Sequence, residues 1–222
     1  MVTSRAKPSA PTTPQLLAAR DGLAFAYAWA AASRSVNSRE LRIQNFTLHQ
    51  SSQPIRERLL SGLPLVLGHG TMVSITPDHL RKRAPECNFL DSQFVVPYPA
   101  DCAAFMLSPL SWLYIMLLLD RHSKTPVTGF LVRPLVHHCS TEFQETLLGK
   151  SSLHDRLDRV RVAGSAHPGE TLYCFCRGQA MAHRQAGSSL EDIQQKLLLA
   201  STRLVASYST PNRHNPKKRK AP

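Results

Sequence analysis

The sequence predicts a single α+β domain that is mainly helical, with a small antiparallel β-sheet inserted after the first helices. Apolar residues recur at helical spacing over most of the chain, whereas short β-branched runs separated by Gly, Pro, His and Asp fill residues 63–99. Hydrophobic residues make up 42% of the 222 positions, which is enough for one core. We expect the domain to span residues 15–210, with no internal repeat.

The amino-terminal half supplies the sheet. Residues 1–14 are basic and rich in Pro, Ser and Thr, so we expect a disordered leader. A first helix begins near Thr13 or Gln15 and continues through Ala32, and the segment 34–37 breaks it. The run SRELRIQNFTL resumes as a helix and then becomes extended. The runs LPLVLGHG, TMVSITP and NFLDSQFVVPYP predict two or three strands, with the basic turn DHLRKRAPE between the second and third.

The carboxyl-terminal half reads as helices. Residues 103–119 are apolar, but they are fewer than the ~20 of a membrane span and include Pro109, so they predict a buried helix and no membrane anchor. Ser188 or Ser189 is a candidate N-cap, with acidic residues in the turn that follows. The basic tail, residues 211–222, is expected to be unstructured. The predicted helices span 101–122, about 141–163, about 171–186, a segment after the Ser cap, and a last one from Ser201.

The charge predicts a polyanionic partner. The chain has 27 Lys and Arg residues against 15 Asp and Glu residues, a net charge of +12 at pH 7 with neutral histidines. Phosphate backbones are the usual partner of such a chain, so we expect nucleic acid binding. A basic RNA-associated or ribosomal protein is the alternative.

The cysteine pattern predicts neither a disulfide framework nor a metal site. The count of five is odd and no signal peptide opens the chain, so reduced thiols in the cytosol or nucleus are expected. A zinc site from residues 137–139 with Cys174 and Cys176 would lack any C-x-x-C pair. We therefore expect no metal site. The cysteines are Cys87, Cys102, Cys139, Cys174 and Cys176.

The carboxyl-terminal sequence YCFCRGQAMAHRQAGSSLEDIQQKLLLASTRLVASYSTPNRH resembles the catalytic domain of tyrosine recombinases, the phage-integrase family of DNA-breaking-rejoining enzymes. In that family a His-x-x-Arg stretch, often H-S-F-R-R-G, opens a helix. A helix of the A-x-x-G-x-x-x-x-x-I-Q type follows, and a short helix then carries the nucleophilic tyrosine. The glycine after Arg177, Ala186-Gly187, Ile193-Gln194 and Tyr208 keep this spacing.

The resemblance extends upstream and covers residues 15–214. Trp29, Arg34, Asn37, Leu41 and Phe46 fit the first arginine region of the eukaryotic, transposon-borne branch. The strand region with its basic turn lies where the family has a hairpin with a catalytic lysine. Lys82 is the best match for that lysine, and Arg81 is next.

The resemblance implies a function in DNA recombination and integration. The Tyr208 oxygen would attack a phosphodiester of double-stranded DNA and form a phosphotyrosyl link, without a cofactor. Arg34 would stabilise the pentavalent phosphate and Lys82 would protonate the leaving 5′ oxygen. Several copies would assemble on DNA. The family's separate amino-terminal DNA-binding domain has no counterpart in this sequence, which we interpret as a fragment or as a domesticated remnant of a mobile element.

The active-site pattern is degenerate. The alignment places Tyr173 on the family's histidine, Cys176 on its second arginine and Leu199 on a later His or Trp position. Arg177, one residue further along, is the catalytic candidate that would have to replace this arginine, but one step along a helix turns a side chain by about 100°, so we do not expect it to restore the function. We therefore expect strand cleavage to be impaired or lost. The competing hypothesis is a DNA-binding module without catalysis that uses Arg34 and the basic residues Arg81, Lys82, Arg83, Arg213 and His214.

Each of these residues also has a purely structural interpretation. Arg34 is a candidate helix C-cap, and Lys82 lies in an RKR run typical of a solvated loop. Tyr173 and Cys176 are candidates for core packing, and Tyr208 for an interface tyrosine. The tail NPKKRKAP fits a monopartite nuclear localisation signal, so we expect a nuclear protein.

Overall fold

The structure, a computed structural model, describes residues 10–31, 38–48, 55–61, 71–76, 94–97, 99, 101–120, 129–164, 171–197, 199 and 201–209. The predicted class is confirmed, because helices dominate and one small antiparallel sheet is inserted among them. The helices are α1 Thr13–Ala30, α2 Ile55–Leu60, α3 Cys102–Leu107, α4 Pro109–Asp120, α5 Lys150–Ala163, α6 Tyr173–Gln185, α7 Leu190–Lys196 and α8 Thr202–Ser209. The strands are β1 Phe46–Leu48, β2 Met72–Ile75 and β3 Phe94–Pro97.

Helix α1 is the central element of the fold. It begins with a capping box, in which the Gln15 amide donates to the Thr12 hydroxyl at 3.4 Å and the Thr12 amide donates to the Gln15 side chain at 2.8 Å. Residues on several of its faces are buried, so α1 has neighbours on more than one side. Gly22 faces α4, and a Cβ at this position would lie 2.4 Å from the Trp112 ring. The absence of a side chain at Gly22 therefore allows α1 and α4 to pack closely.

The sheet packs against this helix pair. Its strand order is β1-β2-β3, both pairings are antiparallel, and Ile75 of β2 lies between Phe46 and Phe94. Phe46, Val73 and Ile75 join residues of α1 and α4 in the main core. The runs TMVSITP and NFLDSQFVVPYP supply β2 and β3 as expected. In the run SRELRIQNFTL, which was expected to resume as a helix and then become extended, a 3-10 helix spans Ile43–Asn45 and β1 follows in FTL. The run LPLVLGHG lies outside the described residues.

Three helix boundaries differ from the prediction. The helix expected over 101–122 is divided into α3 and α4, because Ser108 is extended (ψ 122°) before Pro109. Helix α5 begins at Lys150 rather than near 141, since residues 129–149 form an irregular segment held by isolated bridges. Helix α1 ends at Ala30 instead of Ala32. Helix α2 was not predicted.

Two fully buried arginines attach the irregular segment to the helices. Arg20 of α1 is 2% exposed, pairs with Asp21 at 2.5 Å, and donates to the Arg133 carbonyl at 3.0 Å. Arg133 is itself buried, pairs with Glu145 and lies over the Phe143 ring. A second apolar cluster contains residues of α1, the irregular segment and α5. No helix in the described ranges is long and apolar enough to cross a membrane.

Candidate active site

The last three helices enclose a small core of their own. A capping box of Ser189 and Asp192 opens α7, and Gly187, with a φ of +84°, makes the turn between α6 and α7. These signals are local, and Ser189 was one of the two predicted N-caps. The core formed by α6, α7 and α8, called here the C-terminal cluster, consists of Cys176, Ala180, Ile193, Leu197, Leu199, Val205 and Tyr208.

Helix α6 also packs on α1, so it lies between the C-terminal cluster and the centre of the fold. Phe175 stacks on Phe25 of α1, with ring centroids 5.9 Å apart. A Cβ at Gly178 would lie 2.8 Å from the Trp29 indole. Trp29 and Gly178 were both matched to the recombinase pattern, and they meet in the fold.

The closing tyrosine contacts the first residue of α6. The Tyr173 hydroxyl donates a hydrogen bond to the Tyr208 hydroxyl oxygen. The two rings meet edge to face, with centroids 5.2 Å apart and an interplanar angle of 84°. Tyr208 is only 3% exposed, whereas Tyr173 is 39% exposed. Tyr208 is therefore buried in the cluster with its oxygen directed to a phenol at the surface.

The positions matched to the second arginine and to the later His or Trp are packing residues. Cys176 is 1% exposed and Leu199 is 7% exposed, both inside the C-terminal cluster. The packing interpretation therefore holds for Cys176. It is wrong for Tyr173, because that side chain lies at the surface and bonds to Tyr208.

Arg177 lies on the same side of α6 as Tyr173. The two residues are four positions apart, so their side chains are neighbours on the helix surface. Arg177 is half-buried, unlike Cys176, which faces the cluster. Arg184 continues the same side of the helix and is exposed. One side of α6 thus presents a phenol and two guanidinium groups.

The remaining predicted site residues are Arg34, Arg81, Lys82, Arg83, Arg213 and His214, and all of them lie outside the described residues. The structure does describe residues that flank two of these positions in the sequence. The basic turn joins two strands that pair directly, β2 and β3, as the predicted hairpin requires. Trp29, five residues before Arg34, contacts α6 at Gly178.

Two titratable groups near the junction of α6 and α7 have lowered pKa values. Burial lowers the pKa of His183, and the nearby ammonium group of Lys196 lowers it further. Hydrogen bonds from Ser189 lower the pKa of Asp192 and keep this carboxylate ionised as a helix cap. Among the described residues, no group of three or more His, Cys, Asp or Glu could hold a metal ion.

The family pattern assigned Tyr173 and Tyr208 to the same active site, but no local pattern indicates their hydrogen bond, since the two residues are 35 positions apart. Chemically, the side of α6 that carries the pair combines a phenol oxygen, which can act as a nucleophile toward phosphorus, with arginine donors that suit phosphate oxygens.

Comparison with known proteins identifies the fold. No protein-family profile matches this chain, and no curated protein sequence matches it. The structure is similar to XerH site-specific recombinase bound to palindromic difH substrate in a post-cleavage complex, with a TM-score of 0.56 and 14% identity over 96% of this chain and 52% of that chain. It is also similar to the pre-cleavage complex of XerH with difH, with a TM-score of 0.53 and 16% identity over 93% of this chain and 45% of that chain. The chain spans about half the length of these recombinases. This likeness shows that the chain has a tyrosine-recombinase-like fold.

Proposed function

We propose that this protein binds double-stranded DNA as a tyrosine-recombinase-like module, with strand cleavage through a phosphotyrosine link that is weak or absent. The observation that carries the proposal is the position of Tyr208, which packs on the first turn of α6 within a recombinase-like fold. The net charge of +12 supports a polyanionic partner.

Two features of the site argue for weak cleavage. Attack on phosphorus requires the nucleophilic oxygen to reach the phosphate, and Tyr208 is 3% exposed beneath Tyr173. Cys176 supplies no positive charge where the family pattern has an arginine. Loss of such a charge clamp raises the barrier by about 3–5 kcal/mol, a factor of roughly 10²–10³ or more in rate. Burial of Tyr208 specifically favours the non-catalytic DNA-binding module as the second candidate function.

Duplex binding is tested by fluorescence anisotropy of the full chain with labelled DNA duplexes of random sequence. We expect the logarithm of the affinity to fall linearly with the logarithm of salt concentration, because phosphate counterions are released. Combined replacement of Arg81, Lys82 and Arg83 by Ala should make that slope shallower, by an amount that corresponds to the loss of up to about three phosphate contacts. Binding that is absent or insensitive to salt would refute the proposal, and tighter binding to an RNA duplex of matching sequence would favour the RNA-associated alternative.

Covalent capture on a nicked DNA duplex separates an enzyme from a binding module. An adduct that disappears in Tyr208→Phe identifies a recombinase that uses Tyr208. Duplex binding without any adduct identifies the non-catalytic module.

We further propose that the tail directs the protein to the nucleus. Residues 217–220 read KKRK after Pro216, which suits a basic nuclear localisation signal. A fluorescent fusion of the full chain should concentrate in nuclei of eukaryotic cells. The fusion with all four residues changed to Ala should spread through the cell, and unchanged nuclear concentration would exclude the tail as the signal.

A further inference from the structure

The two phenols of the tyrosine pair differ sharply in access to a large substrate. Their oxygens are joined by a hydrogen bond, so a phosphate that reaches one oxygen is also close to the other. Tyr173 is 39% exposed and Tyr208 is 3% exposed. Of the two residues, Tyr173 is the one that a DNA backbone approaching this side of α6 can contact, because Tyr208 is enclosed by the C-terminal cluster.

Arg177 lies beside the exposed phenol. It follows Tyr173 by one helical turn, and helical side chains lean toward the amino terminus, which brings the guanidinium group toward Tyr173. Cys176, by contrast, is directed into the C-terminal cluster. Arg177 lies one residue after Cys176, the position of the family's arginine. It therefore shares a side of α6 with Tyr173 and not with Cys176.

We propose that Tyr173, and not Tyr208, is the residue that attacks a DNA phosphodiester in this chain, which rests on the proposed function of DNA binding. Arg177 contacts the non-bridging oxygens of the phosphate, and Tyr208 is a positioning residue that holds the Tyr173 phenol through their hydrogen bond. The Tyr173 oxygen forms a bond to phosphorus while the bond from phosphorus to the 5′ oxygen breaks. The phenolic proton passes to solvent and the 5′ oxygen takes up a proton, so the exchange of esters needs no oxidant, reductant or cofactor.

The test uses a probe whose leaving group needs no acid. The full chain is incubated with a pool of random-sequence DNA duplexes, each carrying a 5′-bridging phosphorothiolate, because a thiolate leaves without protonation. Covalent adduct is measured on denaturing gels, and the modified peptide is identified by mass spectrometry after nuclease and trypsin digestion. Trypsin separates the two tyrosines, since Tyr173 falls in the peptide 162–177 and Tyr208 in the peptide 204–213.

We expect the nucleotide remnant on Tyr173, loss of the adduct in Tyr173→Phe, and persistence of the adduct in Tyr208→Phe. Tyr114→Phe, on α4, is the matched control and should behave as wild type. An adduct on Tyr208 that survives in Tyr173→Phe would overturn this inference and leave the proposed function intact. Duplex binding without any adduct would also overturn it, whereas failure to bind any duplex would refute the proposed function itself.

Two further variants test the assigned roles. Tyr208→Phe keeps the ring but loses the accepting oxygen, so adduct formation at saturating duplex should slow by about tenfold while duplex affinity stays unchanged. Arg177→Ala should slow it by about a hundredfold. Arg184→Ala, two turns further on the same side of α6, is the control and should change the rate by less than about twofold. Equal effects of the two arginine variants would assign Arg177 to general backbone attraction and contradict its role here.

Discussion

At the residue scale, Gly178 determines how closely α6 approaches α1. An alanine in the middle of a helix is favoured over glycine by about 1 kcal/mol. At Gly178, however, the added Cβ would lie 2.8 Å from the Trp29 ring, closer than such atoms normally come. Overpacking of this kind costs about 1–3 kcal/mol, so the clash outweighs the gain in helix propensity.

We therefore predict that Gly178→Ala lowers the free energy of unfolding by up to about 2 kcal/mol. The same change made in a Trp29→Leu background should be neutral or stabilising, since the obstructing ring is gone. Urea denaturation of the four chains of this double-mutant cycle measures the effect. Stabilisation by Gly178→Ala with Trp29 present would show that α6 does not depend on this contact.

At the element scale, the junction of α6 and α7 carries a pH-dependent weakness. The pKa of His183 is lowered in the folded chain, first by burial and then by Lys196. Below the ordinary histidine pKa of about 6.5, the unfolded chain therefore binds the proton more readily than the folded chain does. The free energy of unfolding must then rise with pH between the lowered pKa of the folded chain and the ordinary value of about 6.5. Above that value, the proton on His183 has no effect on stability.

The corresponding prediction is a difference in thermal stability between wild type and His183→Gln that changes with pH. The Tm of the variant should rise relative to that of wild type as the pH falls from about 8 to about 5, because the glutamine cannot bind a proton. Lys196→Gln should show a smaller effect in the same direction, since burial is the larger cause of the shift. A difference in Tm that stays constant over this pH range would contradict the lowered pKa of His183.

At the scale of the whole molecule, the buried pair of Arg20 and Asp21 joins parts of the chain that are far apart in sequence. Burial lowers the pKa of Arg20, and the carboxylate of Asp21 opposes that shift. Arg20 also donates to the carbonyl of Arg133, and Arg156 of α5 lies 3.9 Å from Asp21. Loss of Asp21 would leave a guanidinium charge buried among three parts of the fold.

We predict that Asp21→Ala lowers the free energy of unfolding by about 3 kcal/mol, since an unpaired buried charge is costly. For a chain of this size that corresponds to a fall in Tm of roughly 6–12 °C. Asp158→Ala is the matched control, because it removes an exposed i,i+3 pair with Arg161 and should cost less than about 0.5 kcal/mol. Equal losses of stability for the two variants in calorimetry would show that the buried pair contributes no more to stability than the exposed pair.

The sequence alone determined those features whose signals are local. Helical periodicity, the Ser189 cap and the β-branched runs predicted the mainly helical class and two of the strands. The recombinase pattern led to a tyrosine-recombinase-like fold, and the structural comparisons agree. Local signals were weakest in residues 129–149, where buried arginines and bridges to distant segments replace regular hydrogen bonding. The helix predicted from residue 141 was therefore wrong.

Only the tertiary structure decided how the candidate site is arranged. The family pattern assigned Tyr173 and Tyr208 to one active site, but it did not indicate that their hydroxyls share a hydrogen bond, because that contact joins residues 35 positions apart through the packing of α8 on α6. The alignment treated Tyr173 as a lost histidine and Arg177 as a misplaced arginine. Helix geometry puts Cys176 in the core and leaves Tyr173 and Arg177 together on one side of α6. The direction of a side chain depends on which face of its helix is buried, and only packing against the rest of the molecule decides that.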